Sequence, residues 1–484
     1  MKVCCGILTR GSLPLRIQWR DRAGVSPDFP RTNLDSLDWQ RLRFEPAGML
    51  RFRMNALGIV AIGTGEGKTL VALGLTRLLS RMGYGVAPFK VGPDYLDASL
   101  YAHACGSRAR NLDLYLDGEA RVRSELHRAI RRESAIVIEG MMGLFDGDDL
   151  GETSSAHILA QNDVPAIVVI DGWRMSQSAA AVLAGCAAIA PHVRIAGAIL
   201  NRCGGESHEH AVRTACERAG FRLLATLPYD AEFSMPERHL GLDVSKLGGI
   251  EPMLDRVADV LRAQIDVREF FGEPHLATRA TKTAREGPVI AYADDEALSF
   301  TYPQTLDALA ANANLVPFSP LRDSTLPPGA HGVWLGGGYP ELHAEQLAEN
   351  GSMRAALRDA VESGIPVYAE CGGMMLLSRG IETQDGIYPM AGALRIDVSI
   401  VQPRLVIGYR DLVADANNVL EEQGERFRAY EFHYASAKSE ERPAYRGDGD
   451  RGARRANTLA GFIHRRFFEG DPSICRFIER CASS

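Results

Sequence analysis

An apolar run of strand length, Leu57-Gly58-Ile59-Val60-Ala61-Ile62, leads into Gly63-Thr64-Gly65-Glu66-Gly67-Lys68-Thr69. Apolar residues at helical spacing follow at Leu70, Leu73, Leu75, Leu78 and Leu79. Strand, glycine-rich turn, Gly-Lys-Thr and helix together are the layout of a phosphate-binding loop. The glycines let backbone N–H groups approach phosphate oxygens, and the helix N-terminus adds its partial positive charge. Residues 63–69 are therefore the expected nucleotide-phosphate site, with Lys68 on the terminal phosphates and the Thr69 hydroxyl on Mg²⁺. The usual loop carries glycine where Ile62 stands, so a glycine-rich turn with an incidental lysine is the plain alternative. The next stretch weighs against it. Phe89-Lys90-Val91-Gly92-Pro93-Asp94-Tyr95-Leu96-Asp97 puts a second lysine and two carboxylates just past a short strand, Val86–Lys90. Doubly wound sheets carry ligands at such strand ends.

The surrounding pattern alternates strand and helix. Apolar runs suited to buried parallel strands recur at Ala135–Ile138, Ala166–Ile170, Ile195–Leu200 and Leu223–Leu227, with helical stretches such as Ser178–Ala190 and His208–Arg218 between them. The expected fold class is α/β, with a doubly wound domain over 54–271. Polar residues mark a linker at 272–287. A second doubly wound α/β domain is expected over 288–484, from Val289–Ala293, a helix near Tyr302–Asn312, Gly332–Leu335 and Pro366–Tyr368. Charged, glycine-rich Lys438–Asn457 reads as a solvated surface loop without chemistry. Residues 1–53, rich in arginine and broken by prolines, read as a disordered extension, and Met49 or Met54 offers an alternative start. Acids scattered through that stretch argue against a transit peptide.

Three features outside the loop bear on chemistry. Glu139, in Glu139-Gly140-Met141-Met142-Gly143-Leu144-Phe145-Asp146-Gly147, follows a strand directly. It suits a Mg²⁺ ligand, because Mg²⁺ takes oxygen donors and keeps several waters; a solvated loop acid is the alternative. Ile365-Pro366-Val367-Tyr368-Ala369-Glu370-Cys371-Gly372-Gly373-Met374-Met375 reads as strand, sharp turn and helix, with Cys371 at the turn. Nucleophiles are presented in this way, with backbone N–H groups nearby for an oxyanion; a buried small hydrophobe is the usual fate of a free cysteine. A cysteine nucleophile needs a base, and His331, His343, His433 and His464 compete for the role. His331 and His343 read as loop residues.

In order along the chain, the phosphate loop, Phe89–Asp97, Asn111-Leu112-Asp113, Glu139–Gly147 and Pro236-Glu237-Arg238-His239-Leu240-Gly241-Leu242 resemble the a,c-diamide synthases of corrinoid biosynthesis. These act on cobyrinic or hydrogenobyrinic acid. Their synthetase domain is similar to dethiobiotin synthetases, which activate carboxylates with ATP, and their loop has the variant form seen at Ile62. The C-terminal half resembles the class I glutamine amidotransferase domain fused to such synthases. The resemblance implies that Lys68 and Thr69 serve ATP and Mg²⁺, that Glu139 serves the metal, and that Lys90 serves the nucleotide. It implies that Asp94, Tyr95, Leu96 and Asp97 meet the macrocycle's acetate side chains. Asp97 would orient substrate or take a proton, with a capping or turn aspartate as its alternative. Cys371 would attack glutamine, Gly336, Gly337 and Gly338 would help bind the oxyanion, and His464 would be the base. His433 would be structural or near a domain interface. Many class I amidotransferases continue His-x-Glu; Arg466 holds that third position here, which implies a Cys–His dyad.

The implied activity is ATP- and glutamine-dependent amidation of the a and c acetate carboxylates of a corrin-ring acid in cobalamin biosynthesis, through an acyl phosphate. Amidation of another tetrapyrrole such as nickel-sirohydrochlorin is the nearest alternative. An ATP-driven binding switch with an inactive amidotransferase-like module is the alternative from another class. The expected partners are small molecules: corrinoid acid, glutamine and ATP. A formal charge of −7 argues against a general nucleic-acid surface, and no apolar run reaches membrane-spanning length. Nine cysteines without a Cys-x-x-Cys pair fit reduced thiols in a cytoplasmic enzyme. A homodimer is compatible with all of this.

Overall fold

Seven strands form one parallel sheet in a computed structural model that describes residues 55–148, 151–230, 233, 249–274 and 287–484. The N-terminal extension, Pro236–Leu242 and most of the linker lie outside the described residues. The strands are β1 (Ala56–Val60), β2 (Val86–Val91), β3 (Arg110–Leu112), β4 (Ala135–Glu139), β5 (Ala166–Asp171), β6 (Ile195–Cys203) and β7 (Leu223–Pro228). Their order is β3-β2-β4-β1-β5-β6-β7. Successive side chains point to opposite faces. Leu57 and Ile59 of β1 join one core with Val137 and Val169, whereas Ala56 and Val60 join the other with Ile136, Ile138 and Val168. Burial on both faces is why these strands read as unbroken apolar runs. Helix α1 (Lys68–Arg81) buries Leu70, Leu73, Leu75, Leu78 and Leu79 in the first core, where Gly74 lets Val257 of helix Ile250–Arg262 come close.

The chain leaves β1 for β2 on one side of the sheet and resumes with β5 on the other, so the carboxyl ends of β1, β4 and β2 open onto one crevice. Register then decides which residues share it. Ile59 and Lys90 both sit opposite Glu139, from the two neighbouring strands.

In the second half, β8 (Val289–Ala293), β9 (Asn314–Phe318), β10 (Gly332–Leu335) and β11 (Val367–Glu370) run parallel in the order β9-β8-β10-β11. Strand Thr458–Gly461 continues the sheet in parallel and Ala453–Arg455 closes it antiparallel. Two four-stranded sheets built from residues 380–464 stand beside it, with Val406–Ala414 and Arg426–His433 as a long antiparallel pair. Lys438–Asn457 is not the plain loop its charge pattern suggests. It holds strands Tyr445–Gly447 and Ala453–Arg455, and Ala444, Tyr445 and Ala453 are buried. A few inward apolar residues outweigh the exposed charges around them.

Both sheets belong to one compact unit. Arg466 from the second half forms a bidentate pair with Asp117 of the first at 2.8 and 2.6 Å. Arg110 reaches Asp307 at 2.6 Å, and the Gln304 amide donates to the Asn111 carbonyl at 2.8 Å. Among the described residues, no helix is long and apolar enough to cross a membrane.

Candidate active site

The phosphate loop lies where its sequence puts it, between β1 and α1. Gly65 and Gly67 adopt φ of 86° and 100°, which side chains resist. Ile62 lies outside the left-handed region, so a β-branched residue stands there without the strain of a positive φ. The Lys68 ammonium donates to the Gly63 carbonyl at 2.6 Å, and burial followed by the charge of Lys90 lowers its pKa. Glu66 braces the loop, its carboxylate accepting from the Asp171 N–H at 2.8 Å. The Asn201 amide holds the Glu66 carbonyl, and Arg202 holds that of Gly65.

Glu139 is the centre of the first site. It is 0% exposed, and both of its oxygens are hydrogen-bonded. Oε1 accepts from the Thr69 hydroxyl and from Lys90 Nζ, each at 2.6 Å, and Oε2 accepts from the Tyr101 hydroxyl at 2.7 Å. A buried carboxylate persists only with such partners. Lys90 also binds Asp97 at 2.9 Å and lies 3.6 Å from Asp94. The Thr69 hydroxyl and the Glu139 carboxylate are oxygen donors of the type Mg²⁺ takes. Among the described residues no group of three or more His, Cys, Asp or Glu is placed to hold a metal ion by itself.

Helix α2 (Leu96–Cys105) sorts the neighbouring residues. Asp94 takes the turn role, accepting from the Asp97 N–H at 3.0 Å, and the Asp97 side chain is left to Lys90. Asn111 clamps the turn by donating to the Gly92 and Asp94 carbonyls, each at 2.8 Å. Leu96 is half-buried at the first helical position. The Tyr95 side chain turns toward the second half. Asp94 and Asp97 are drawn together by the Asp97 N–H and by Lys90, whereas the Tyr95 side chain points elsewhere. The Tyr95 ring packs on Phe300, Tyr302 and His464 of the second half, at centroid distances of 5.4, 4.3 and 5.1 Å.

Cys371 joins β11 to helix Gly372–Leu377 at φ 49° and ψ −106°, a conformation that costs a non-glycine residue about 1–3 kcal/mol. Its N–H is fixed to the Gly461 carbonyl at 2.7 Å, and its sulfur lies 3.8 Å from the Phe432 carbonyl. His464, 1% exposed, sets Nε2 3.3 Å from the Phe432 carbonyl, the same oxygen that the Cys371 sulfur approaches. On the far side of the ring, Nδ1 meets Glu370 Oε1 at 2.8 Å. Burial would pull the imidazole down, but the facing Cys371 sulfur and the Glu370 carboxylate outweigh it and hold it up at about 10. Glu370 is itself fixed by the Tyr368 hydroxyl at 2.9 Å and the Arg465 N–H at 3.2 Å.

The expected dyad is thus a triad in geometry, with its acid one residue before the nucleophile. The position after His464 that would carry a glutamate instead sends Arg466 to Asp117. Glu370 is missed by a reading that looks only downstream of the histidine; its place at a strand end beside Cys371 was the available signal. His433 has both ring nitrogens engaged, with the Ala435 carbonyl at 2.7 Å and Glu431 at 3.1 Å, and it stacks on Phe462 at 3.9 Å. The His331 Nδ1 accepts from Val289 N–H, and His343 ends a short 3₁₀ turn.

The three glycines expected at the oxyanion divide. The Gly337 N–H donates to the Phe300 carbonyl at 3.1 Å, so it does not face a substrate. A side chain at 337 would lie 2.9 Å from the His464 ring. The Gly336 carbonyl accepts from the Gly373 N–H at 3.0 Å and ties the turn to the elbow. Gly338 N lies against Gly372, whose own N–H opens a helix and has no intrahelical acceptor. These two N–H groups are the best-placed donors.

Comparison with known proteins finds matches to both halves of the chain. The CobQ/CobB/MinD/ParA nucleotide binding domain matches residues 57–242, and the CobB/CobQ-like glutamine amidotransferase domain matches residues 289–472. The chain is 36% identical over 443 residues to cobyrinate a,c-diamide synthase of Caldanaerobacter subterraneus, covering 88% of this chain and 98% of that protein. It is 36% identical over 447 residues to hydrogenobyrinate a,c-diamide synthase of Brucella abortus, covering 86% and 100%. The match to cobyrinate a,c-diamide synthase of Listeria innocua is 35% over 445 residues, covering 87% and 98%.

Proposed function

The chain belongs to the family of cobyrinate and hydrogenobyrinate a,c-diamide synthases, and on that premise we propose that it is a carbon–nitrogen ligase with glutamine as amido donor. It amidates the a and c acetate carboxylates of a corrin-ring acid in cobalamin biosynthesis. A carboxylate oxygen attacks the γ-phosphorus of ATP, ADP leaves, and an acyl phosphate forms. Ammonia then attacks the acyl carbon, the C–O bond to phosphate breaks, and the nitrogen loses a proton. Lys68 and the N–H groups of the loop hold the phosphates as charge shifts during transfer. Thr69 and Glu139 would hold Mg²⁺, which when bound would supply further neutralisation of phosphate charge. Lys90 keeps Glu139 and Asp97 fixed, and Asp94 and Asp97 face the incoming acetate and ammonia.

At the second site the Cys371 sulfur attacks the glutamine amide carbon. The Gly338 and Gly372 N–H groups receive the oxyanion, and His464 gives its proton to the departing nitrogen. Water then hydrolyses the thioester to glutamate. Glu370 keeps Nδ1 protonated, so Nε2 is the nitrogen that exchanges protons with substrate.

The observation that carries this reading is the Cys371–His464–Glu370 constellation in one compact unit with the Thr69–Glu139–Lys90 cluster. Free cysteines at seven described positions support a cytoplasmic setting. The test incubates purified enzyme with cobyrinic or hydrogenobyrinic acid, ATP, Mg²⁺ and either glutamine or ammonium, and follows mono- and diamide by mass spectrometry. Cys371→Ala is expected to lose the glutamine-driven reaction and keep the ammonium-driven one, and Lys68→Ala to lose both. Nickel-sirohydrochlorin amidated in preference to either corrin acid would overturn the substrate assignment.

A further inference from the structure

Beside the cysteine elbow stands a carboxylate oxygen without a partner. The glycine turn 336–338 runs on through Tyr339 into the 3₁₀ turn Pro340–His343, which packs on helix Gly372–Leu377 directly after Cys371. The approach is close: a side chain at Gly372 would stand 2.9 Å from both the Gly338 nitrogen and Pro340 Cδ. Glu341 follows Pro340 at once. It is half-buried, and its Oε2 is shut off from solvent with no hydrogen-bond partner. Burial holds the carboxyl up at about 7, opposed by the hydrogen bond from its own backbone N–H. Tyr339 senses both groups: burial raises its phenol most, and the charges of Cys371 and then Glu341 raise it further. Its ring meets Phe300 edge-on at a centroid distance of 5.0 Å.

We propose that Glu341 is a specificity-determining residue of the glutaminase site, its carboxylate receiving the α-ammonium group of glutamine. The inference rests on the reaction proposed for Cys371 and adds what that site recognises at the far end of the substrate. A buried carboxylate is costly without a cation, and a partner missing at a substrate site is one the substrate can bring. Glutamine carries one cation. Four bonds of about 1.5 Å separate its amino nitrogen from the amide carbon, a span of about 5 Å. The amide oxygen rests on the Gly338 and Gly372 N–H groups, so the ammonium falls near the segment just beyond Gly338. The backbone from Gly338 to Glu341 extends at most about 11 Å, a distance that a folded turn and a glutamate side chain cover. The Tyr339 ring, packed on Phe300, shields the new pair from water and so strengthens it. Selection follows. A substrate with the amide but without the amine leaves the carboxylate buried and unpaired, and the site rejects it.

The experiment measures ammonia release by the full-length enzyme from L-glutamine and from glutaramate, the same amide without the α-amino group. The readout is the ratio of the two kcat/KM values, glutamine over glutaramate, within each variant. The wild-type ratio is expected to be about tenfold to a hundredfold, the value of a hydrogen bond to a charged group. Glu341→Gln keeps the shape and removes the charge. It is expected to bring the ratio to about threefold or less, through a higher KM for glutamine with kcat little changed. Glu341→Asp keeps the charge on a shorter arm and is expected to fall between the two. A merely structural role would lower both substrates together, and a Glu341→Gln ratio equal to wild type overturns the proposal. A Glu341→Asp ratio no higher than that of Glu341→Gln assigns the effect to shape and overturns the role of the charge. A wild-type ratio of one, which needs no variant to fold, overturns the recognition while glutamine hydrolysis still stands. A wild-type enzyme that releases no ammonia from glutamine sinks the Cys371 reaction first, and this inference with it.

Discussion

At the scale of single residues, Glu370 and Cys371 show how adjacent positions divide a reaction. The last residue of β11 points its carboxylate back toward Tyr368, two positions earlier on the same strand face, and this brings it under His464. The next residue turns out of the strand into a strained conformation and presents the sulfur. The imidazole between them is held at about 10, against an ordinary value of about 6.5, so the charged ring persists across the neutral range. Its contribution to folding is fully present below the ordinary value and is lost as pH rises through about 10. Glutaminase activity is therefore expected to fall on an alkaline limb near about 10, and Glu370→Gln to move that limb to lower pH, as a pH–rate profile of glutamate release would show. A limb that stays in place in Glu370→Gln would remove the acid from the site. The strain at Cys371 gives a second expectation. Cys371→Gly should melt higher than Cys371→Ala by the equivalent of about 1 kcal/mol, because glycine adopts a φ of 49° without penalty. Equal melting temperatures would mean that the elbow stores no strain.

At the scale of elements, register does more than strand identity. The strands around the phosphate loop can be read as apolar runs, but only the order β2-β4-β1 sets Lys90 and Ile59 on either side of Glu139. Lys90→Met would leave Glu139 and Asp97 buried without their common counter-charge. The cost of breaking such a pair is about 3–5 kcal/mol, measurable by denaturant unfolding, and amidation from ammonium should be lost as well. The parallel strands were legible because both faces are buried and the run is continuous. The small antiparallel sheets were not. Val406–Ala414 is mostly half-exposed and carries Gly408, Arg410 and Asp411 among its apolar residues, so neither a clean alternation nor a continuous run marks it. Lys438–Asn457 hid two short strands for the same reason. The glycines at 336–338 were recognisable as a turn near the elbow, but which N–H stays available depended on the Phe300 carbonyl meeting Gly337 from another segment.

At the scale of the whole molecule, two reactions share one compact body, and the join between the halves runs through catalytic neighbours. Arg466, two residues beyond His464, is paired with Asp117, and Asp113 beside it accepts from the Tyr409 hydroxyl at 2.9 Å. Asp117→Asn is expected to lower stability by about 3 kcal/mol, since Arg466 would keep its buried charge and lose its bidentate carboxylate partner. It should also reduce glutamine-driven amidation more than ammonium-driven amidation, because the displaced segment carries His464. A proportional loss in both reactions would show that the pair serves stability alone. Much of the chemistry was written locally in the chain: the phosphate loop, Glu139 at a strand end and Cys371 at a turn each follow from a few consecutive residues, since strand, loop and helix preferences act over short range. What only the tertiary structure decided are the partnerships across distance: Lys90 with Glu139, Glu370 under His464, Arg466 on Asp117 in place of an acid beside the histidine, and Tyr95 turned from one active site toward the other. Those depend on which strand ends neighbour each other and how two sheets meet, and spacing along a chain does not encode either.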